Sequence, residues 1–125
     1  MGLSSKTVGT DIVEIQRIEQ AISGWQDSFL RRIYTEAELE SCQNRAPSLA
    51  ARFAAKEAVM KALGTGANGI SWRDIEILSN SQGAPVVQLH NQAERKAKEN
   101  DIAKFSVTMS HCKEYAVAFV IGDAI

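Results

Sequence analysis

One segment of this sequence constrains the fold more than any other: an alanine-rich helix that begins near Pro47 and ends at Gly64. Proline suits the first turn of a helix, and glycine suits the left-handed position that follows its end. Between them, residues 49–63 are mostly alanine, apolar and straight-chain side chains, which favour a helix. The sequence therefore predicts a long central helix that is buried along one side.

The segments on either side of this helix show strand and helix patterns in turn. Short β-branched or alternating apolar runs predict strands at 7–12, 74–78, 86–89, 105–110 and 115–121. Further helices are predicted at 12–23, after the capping-box residues Thr35 and Glu38, and at 91–100 with Asn91 as its cap. Because the last two strands form a hairpin, we expect an α+β fold with an antiparallel sheet packed on the long helix.

The composition limits the classes of protein to which the chain can belong. With 125 residues, 45% of them apolar and 23% charged, it has the size of one domain, residues 1–125. The formal net charge is −1 and no apolar run reaches the length of a membrane span, so neither nucleic acid nor a membrane is an expected partner. Cys42 and Cys112 are too few for a disulfide framework or a zinc site, and no secretory signal is visible, so a cytoplasmic protein is expected.

Two carboxylates, Asp11 and Glu57, are candidates for a chemical role. Asp11 ends the first apolar segment, where it could cap the helix that follows. Glu57 lies at the edge of the buried stripe of the long helix, where it could form a surface pair with Lys61. Brought together, the two carboxylates would instead supply hard oxygen ligands for Mg²⁺, with phosphates and waters completing the shell.

Basic and small residues close to Glu57 could form a local anion site. Lys56 projects into the apolar stripe of the helix, where its ammonium needs an anion or a route to water. Gly64-Thr65-Gly66 follows the helix, where glycine is an ordinary terminator but also lets a phosphate approach backbone amides. The loop lacks the Gly-Lys-Ser or Gly-Lys-Thr ending of a nucleotide-hydrolase loop.

Ser110 and His111 end the penultimate predicted strand, next to a turn. Taken alone, a histidine there is more often a surface residue than a functional one. No serine of the chain lies in a Gly-x-Ser-x-Gly motif, which argues against an acyl-enzyme hydrolase.

Three segments in register give a sharper indication than any of them alone. They resemble the 4′-phosphopantetheinyl transferases, and their order and spacing are similar to those of the short bacterial type, the holo-acyl carrier protein synthases. The resemblance runs from about Val8 to Ile121 and is carried by Gly9-Thr10-Asp11-Ile12-Val13-Glu14-Ile15-Gln16-Arg17, Arg52-Phe53-Ala54-Ala55-Lys56-Glu57-Ala58-Val59-Met60-Lys61-Ala62-Leu63-Gly64-Thr65-Gly66 and Ser110-His111.

The resemblance implies transfer of 4′-phosphopantetheine from coenzyme A to a serine of apo acyl carrier protein, releasing adenosine 3′,5′-bisphosphate and supplying fatty-acid synthesis. It implies that Asp11 and Glu57 hold Mg²⁺, or Mn²⁺, and that Lys61 acts on the pyrophosphate. Glu57, or a water that it holds, would take the serine proton. Coenzyme A would be bound by Arg52, Lys56, Lys61, Gly64, Thr65, Gly66, Ser110 and His111.

The resemblance also implies protein partners. Arg17 would face the acidic helix of acyl carrier protein, where such a contact orients the partner and speeds association. The short bacterial type is a homotrimer with coenzyme A in clefts between protomers. Residues such as Phe105, Val107 and Met109 would then serve either this interface or the internal core.

Two functions of other classes stay open from the residues. One is a module that binds coenzyme A or acyl carrier protein without turnover, although a pure binder needs no paired metal carboxylates. The other is a metal-dependent pyrophosphohydrolase, which would consume coenzyme A in the absence of carrier protein.

Overall fold

The computed structural model describes residues 6–25, 27–64 and 69–124. The elements follow one another as β1 (Lys6–Glu14), α1 (Ile15–Trp25), α2 (Asp27–Ile33), α3 (Glu36–Cys42), α4 (Ala46–Ala62), a 3₁₀ turn (Trp72–Asp74), β2 (Ile75–Ser79), β3 (Pro85–Leu89), α5 (Asn91–Glu99), β4 (Ile102–His111) and β5 (Tyr115–Ala124). This arrangement confirms the predicted α+β class. None of the described helices is long and apolar enough to cross a membrane.

The strands form two antiparallel sheets, and the long helix packs against both. One sheet has three strands in the order β1-β5-β4, and the other is the β2-β3 hairpin. Helix α4 can lie between the sheets because many of its own side chains are small. Ala50, Ala54, Ala55 and Ala58 are all fully buried. Such small residues let a sheet approach a helix closely, which favours a tightly packed core.

The closest approach is between β1 and α4, at Gly9. A Cβ atom built on Gly9 would lie 2.0 Å from the carbonyl oxygen of Ala58, a distance that no side chain can occupy. Glycine is therefore required at this position by close packing. The contact sets the separation of β1 and α4 near Asp11 and Glu57, which are on these two elements.

The three-stranded sheet has a core face and an outer face. Phe105 is 7% exposed, and Val107 and Met109 pack against the core, so these three residues lie on the inner side of β4. The outer face carries the large exposed apolar side chains of β1 and β5, which are Val8, Ile12, Tyr115, Val117 and Phe119. Any interface on this sheet would therefore use the exposed apolar residues of β1 and β5 rather than Phe105, Val107 and Met109.

The structure corrects two element boundaries that bear on the site. Strand β1 runs to Glu14 and α1 begins at Ile15, so Asp11 lies within a strand and caps no helix. The strand is longer than predicted because β5 pairs with it along its whole length. Asn91 is the first residue of α5 rather than its cap, and its side-chain amide donates instead to Asp74 Oδ1 at 3.2 Å.

Candidate active site

The two candidate carboxylates line one cleft of about 320 Å³. Asp11 comes from the middle of β1 and Glu57 from the fourth turn of α4, and Arg17 of α1 also lines the cleft. The rest of the lining is mostly apolar and consists of Ile12, Val13, Ile18, Ala21, Phe29 and Phe53. The consecutive elements β1 and α1 and the distant helix α4 thus bring carboxylates, a basic side chain and apolar surface together.

Lys61 lies at the rim of this cleft, one turn after Glu57 on α4. Its ammonium donates to Asp11 Oδ1 and to the carbonyl oxygen of Thr10, both at 3.0 Å. Lys61 therefore forms its ion pair with Asp11 and not with Glu57, the partner that helical spacing suggests. Since the Lys61 side chain is 54% exposed, its positive charge remains accessible to an incoming anion.

Glu57 has an unfavourable environment for its negative charge. Partial burial raises the pKa of the Glu57 carboxyl above its ordinary value, and the charge of Asp11 raises it further. Lys61 and Arg17 offset part of this effect. Two carboxylates that repel each other at a cleft are the arrangement that a bound cation relieves.

The donor set fits Mg²⁺ better than a metal held wholly by protein. Among the described residues there is no group of three or more His, Cys, Asp or Glu side chains that could hold a metal ion. Asp11 and Glu57 offer hard oxygen atoms, and Mg²⁺ is commonly held by one or two carboxylates together with substrate phosphates and water. The cleft is therefore suited to a divalent cation that arrives with a phosphorylated substrate.

The structure corrects the expectation that Lys56 contributes to the anion site. Its side chain is fully buried, and its ammonium is 2.8 Å from Glu38 Oε1 of α3. Burial lowers the pKa of the Lys56 ammonium, and the Glu38 carboxylate offsets part of that effect. The anion that Lys56 requires is thus supplied by the protein itself, and no substrate phosphate can reach it.

Two other predicted anion ligands, Arg52 and Gly64, lie within and just after α4. Arg52 donates weakly to Ser48 O and Ser79 Oγ at 3.5 and 3.4 Å, and its buried Nε has no partner within the described part of the chain. An incompletely bonded guanidinium retains capacity for an acceptor. Gly64 follows α4 with a φ of +78°, as predicted for a helix terminator. Thr65 and Gly66 lie outside the described residues.

Ser110 and His111 are not among the residues lining the Asp11–Glu57 cleft. Both are exposed at the end of β4. His111 pairs with Ala116 of β5, which pairs in turn with Val13 of β1, so two strand spacings separate it from β1. That is roughly 10 Å, too far for both residues and Asp11 to hold one small group.

Sequence reasoning missed the aromatic partner of Phe53, a residue that lines the cleft. The rings of Phe53 and Trp72 stack with their centroids 4.8 Å apart and their planes at 21°. Helical spacing places Phe53 one turn before Glu57, and Trp72 lies just before a predicted strand. Their contact depends on the packing of the 3₁₀ turn on α4, which no local pattern indicates.

Comparison with known proteins agrees with this geometry. The family model of the 4′-phosphopantetheinyl transferase superfamily matches residues 7–120. A protein of Dehalococcoides mccartyi named holo-[acyl-carrier-protein] synthase is 53% identical over 115 residues, which cover 92% of this chain and 96% of that protein. One of the same name from Herpetosiphon aurantiacus is 48% identical over 121 residues, covering 91% of this chain and 95% of its own.

A solved structure extends the similarity to three dimensions. The crystal structure of Helicobacter pylori holo-[acyl-carrier-protein] synthase in complex with coenzyme A superposes with a TM-score of 0.85 at 34% identity. The match covers 92% of this chain and 98% of that one.

Proposed function

The chain belongs to the 4′-phosphopantetheinyl transferase superfamily, and we propose that it transfers phosphopantetheine from coenzyme A to a serine of acyl carrier protein. The observation that carries this proposal is the meeting of Asp11 and Glu57 in one cleft, with Lys61 on its rim. The relatives named above carry the name of this activity. A pure binding module has no need of two mutually repelling carboxylates.

We propose that Asp11 and Glu57 hold Mg²⁺ together with the pyrophosphate of coenzyme A. The ion would supply positive charge where negative charge accumulates on the pyrophosphate. Lys61 would leave its contact with Asp11 Oδ1 and donate to a phosphate oxygen, which its 54% exposure allows. Positioning and charge neutralisation are the main contributions that a phosphoryl-transfer site makes.

The reaction is a displacement at one phosphorus atom. The serine oxygen of the carrier forms a bond to the phosphorus that bears the pantetheine arm, and its proton passes to Glu57 or to a water that Glu57 holds. The bond from this phosphorus to the bridging oxygen of the pyrophosphate breaks. The electron pair leaves with that oxygen, so adenosine 3′,5′-bisphosphate is released and the holo carrier serves fatty-acid synthesis.

The coenzyme carries several phosphate charges although the protein has a net charge of −1, so its binding must be local. Arg52 is proposed to bind a phosphate at the N-terminal half of α4 through its terminal NH groups, whose contacts with Ser48 and Ser79 are long, at 3.5 and 3.4 Å. Gly64, Thr65 and Gly66 are proposed to let a phosphate approach backbone amides beyond the other end of the helix, because glycine has no side chain to block it. Ser110 and His111 are proposed to bind another part of the coenzyme, such as its 3′-phosphate, because they lie two strand spacings from β1, roughly 10 Å.

The outer face of the three-stranded sheet supports assembly into a homotrimer. Val8, Ile12, Val117 and Phe119 are 59, 63, 38 and 41% exposed on a single chain, and Ile12 and Val117 are cross-strand partners. A contiguous exposed apolar surface of this kind indicates a protein interface. Light scattering after gel filtration should give about three times the 13.7 kDa of one chain. A Val117→Lys variant should be smaller, and a monomeric wild-type protein would refute the trimer.

Arg17 is proposed to dock the acidic carrier protein. It is exposed in the cleft wall beside Glu57, and Arg32 lines an adjacent groove with Phe29. The variant Arg17→Glu should raise the KM for carrier protein more than the KM for coenzyme A, since rim charges act mainly on association of the macromolecule. Equal increases in both constants would remove the docking role.

Intact-mass spectrometry of apo acyl carrier protein tests the proposed activity. Incubation with this protein, coenzyme A and Mg²⁺ should add one phosphopantetheine, about 340 Da as a phosphodiester. A matched reaction with excess chelator should show no addition. An unmodified carrier with intact coenzyme A would indicate a binding module, and loss of coenzyme A without carrier modification would indicate a pyrophosphohydrolase.

A further inference from the structure

A second lysine and carboxylate pair lies beside the candidate site but outside the proposed reaction. Lys56 directly precedes Glu57 on α4, and both Lys56 and its partner Glu38 have 0% of the side chain exposed. A buried ion pair contributes little net stability compared with apolar side chains of the same volume. Its position next to Glu57 therefore requires an explanation other than stability alone.

Every hydrogen of the Lys56 ammonium has an acceptor. The nitrogen is 2.8 Å from Glu38 Oε1, 3.1 Å from the carbonyl oxygen of Trp72 and 2.5 Å from that of Ile75. These acceptors belong to α3, to the 3₁₀ turn and to the start of β2. The end of the Lys56 side chain is thus fixed to three other segments, and its direction cannot vary without breaking buried hydrogen bonds.

Glu38 is held as firmly as Lys56. Its Oε1 atom also accepts from the backbone N–H of Thr35 at 2.9 Å, and its Oε2 atom accepts from the N–H of Ile77 at 2.8 Å. One oxygen is therefore tied to the start of α3 and the other to the middle of β2. Because both side chains are fully buried and their polar atoms are satisfied, the pair is a rigid junction between α3, α4 and β2.

A rigid anchor at Lys56 determines where Glu57 points. Successive helical residues project about 100° apart, so fixing the direction of Lys56 fixes that of Glu57. On the other side of Glu57, the carbonyl oxygen of Ala58 lies against Gly9, two residues before Asp11. Helix α4 is therefore constrained on both sides of Glu57.

The geometric tolerance at Glu57 is small. A rotation of α4 by about 10° would move a side chain at the helix surface by roughly 1 Å. Displacements of this size can cost about a hundredfold in rate, and partners that orient metal ligands typically contribute about 10- to 100-fold to metal affinity or activity.

We propose that the buried Lys56–Glu38 pair is a positioning device that fixes the rotation of α4, so that Glu57 faces Asp11 at the separation needed to share one divalent cation. This inference rests on the proposed function, because the divalent cation belongs to that function. Lys56 is thus a residue that positions Glu57 and not one that binds coenzyme A. Its test uses metal binding, so it can be judged even if phosphopantetheine transfer is not observed.

The experiment compares direct Mn²⁺ binding by the wild-type protein and the double variant Glu38→Gln/Lys56→Met. This variant keeps the side-chain volumes and leaves no lone buried charge, which favours folding. Electron paramagnetic resonance of free Mn²⁺, with coenzyme A present and carrier absent, gives the affinity. We expect Mn²⁺ binding to weaken roughly 10-fold while coenzyme A affinity stays within about twofold. If the double variant does not fold, Glu38→Asp keeps both charges but shortens the reach, and a smaller loss is expected.

Met60→Ala is the matched control. Met60 is buried on α4, one turn after Lys56 and on the same side of the helix. Its loss should lower the melting temperature but leave the Mn²⁺ affinity of the folded protein unchanged. Three results would overturn the inference: wild-type Mn²⁺ affinity in the pair variants, an equal loss in Met60→Ala, or no Mn²⁺ binding by the wild-type protein.

Discussion

Two lysines of helix α4 pair with carboxylates of other elements, Lys61 with Asp11 of β1 and Lys56 with Glu38 of α3, and the two pairs differ mainly in their exposure to water. Lys61 and Asp11 are 3.0 Å apart with side chains 54% and 13% exposed, whereas Lys56 and Glu38 are 2.8 Å apart and fully buried. The residue types and distances are nearly the same. The exposed pair can exchange partners with solutes, while the buried pair can exchange with nothing.

Two lysines five residues apart on one helix thus differ in role: Lys61 is free to act on a substrate, and Lys56 holds the fold together. Exposed pairs contribute at most about 1 kcal/mol, so Lys61 can leave Asp11 for a phosphate at little cost. Breaking a buried pair by removing one partner costs about 3–5 kcal/mol, because the remaining charge has no solvent. A site that must rearrange for its substrate is thus built next to a junction that cannot rearrange.

The largest expected effect comes from breaking the buried pair on one side only. Lys56→Met leaves the Glu38 carboxylate buried without its cation and should lower the free energy of unfolding by about 3–5 kcal/mol. The matched variant Lys61→Met should change it by less than about 1 kcal/mol. Urea unfolding followed by circular dichroism measures both, and equal losses would remove the distinction between the two pairs.

The next effect concerns activity at the exposed pair. Asp11→Asn keeps the shape of the side chain but removes one of the two cleft carboxylates, and we expect the transfer rate to fall roughly 100-fold or more. Its unfolding transition should stay close to that of the wild-type protein, since Asp11 and Glu57 repel each other. Carrier modification measured at saturating coenzyme A checks this, and near-normal turnover would remove Asp11 from the site.

A smaller effect is expected where β1 and α4 meet. Gly9→Ala would place a methyl group 2.0 Å from the carbonyl oxygen of Ala58, so β1 or α4 must shift. Overpacking of this kind costs about 1–3 kcal/mol. Gly24→Ala in α1 is the control, because nothing lies within 4 Å of its added Cβ, and it should stabilise by up to about 1 kcal/mol. Thermal unfolding of both variants measures these changes. A Gly9→Ala variant as stable as the wild-type protein would contradict the close-packing account.

The smallest effect is a pH dependence at the edge of the buried junction. Burial alone would raise the pKa of the Glu76 carboxyl, but hydrogen bonds from Thr35 and His90, helped by the charges of His90 and Lys56, lower it below its ordinary value of 4.5. Because the folded state holds the proton less tightly than the unfolded state, Glu76 stabilises the fold above pH 4.5. That contribution is lost as the pH falls through the lowered pKa.

The variant Glu76→Gln should flatten this acid limb of the stability curve, measured as unfolding free energy from about pH 5 downward through the lowered pKa. Glu94→Gln, on the exposed side of α5, is the control and should leave the limb unchanged. A wild-type slope in Glu76→Gln would show that other carboxylates set the acid stability.

Local patterns in the sequence predicted local structure well. The capping box is confirmed, since Thr35 and Glu38 make both of its hydrogen bonds, and the long helix ends at Gly64 as expected. Asp11 was harder to assign because Ile12 continues the helical spacing of α1. In the structure Ile12 is instead 63% exposed on the outer face of the sheet.

The sequence could not predict which distant residues contact one another in the fold. The sequence indicated that Lys56 needs an anion, but a helical pattern does not say whether the anion is a substrate phosphate or Glu38. Glu38 itself was recognised only as a capping residue, although its second oxygen binds Ile77 in β2. The wrong partner for Lys56 and the missed contact of Glu38 with Ile77 have one cause, which is that contacts between distant segments depend on packing and not on spacing.

The most direct test of the central claim compares the wild-type protein with Glu57→Gln in one intact-mass time course of apo acyl carrier protein. Both reactions contain coenzyme A and Mg²⁺, and circular dichroism confirms that both proteins are folded. The account predicts a gain of about 340 Da with the wild-type protein and almost none with the variant. Equal gains would contradict the assignment of the reaction to the Asp11–Glu57 cleft.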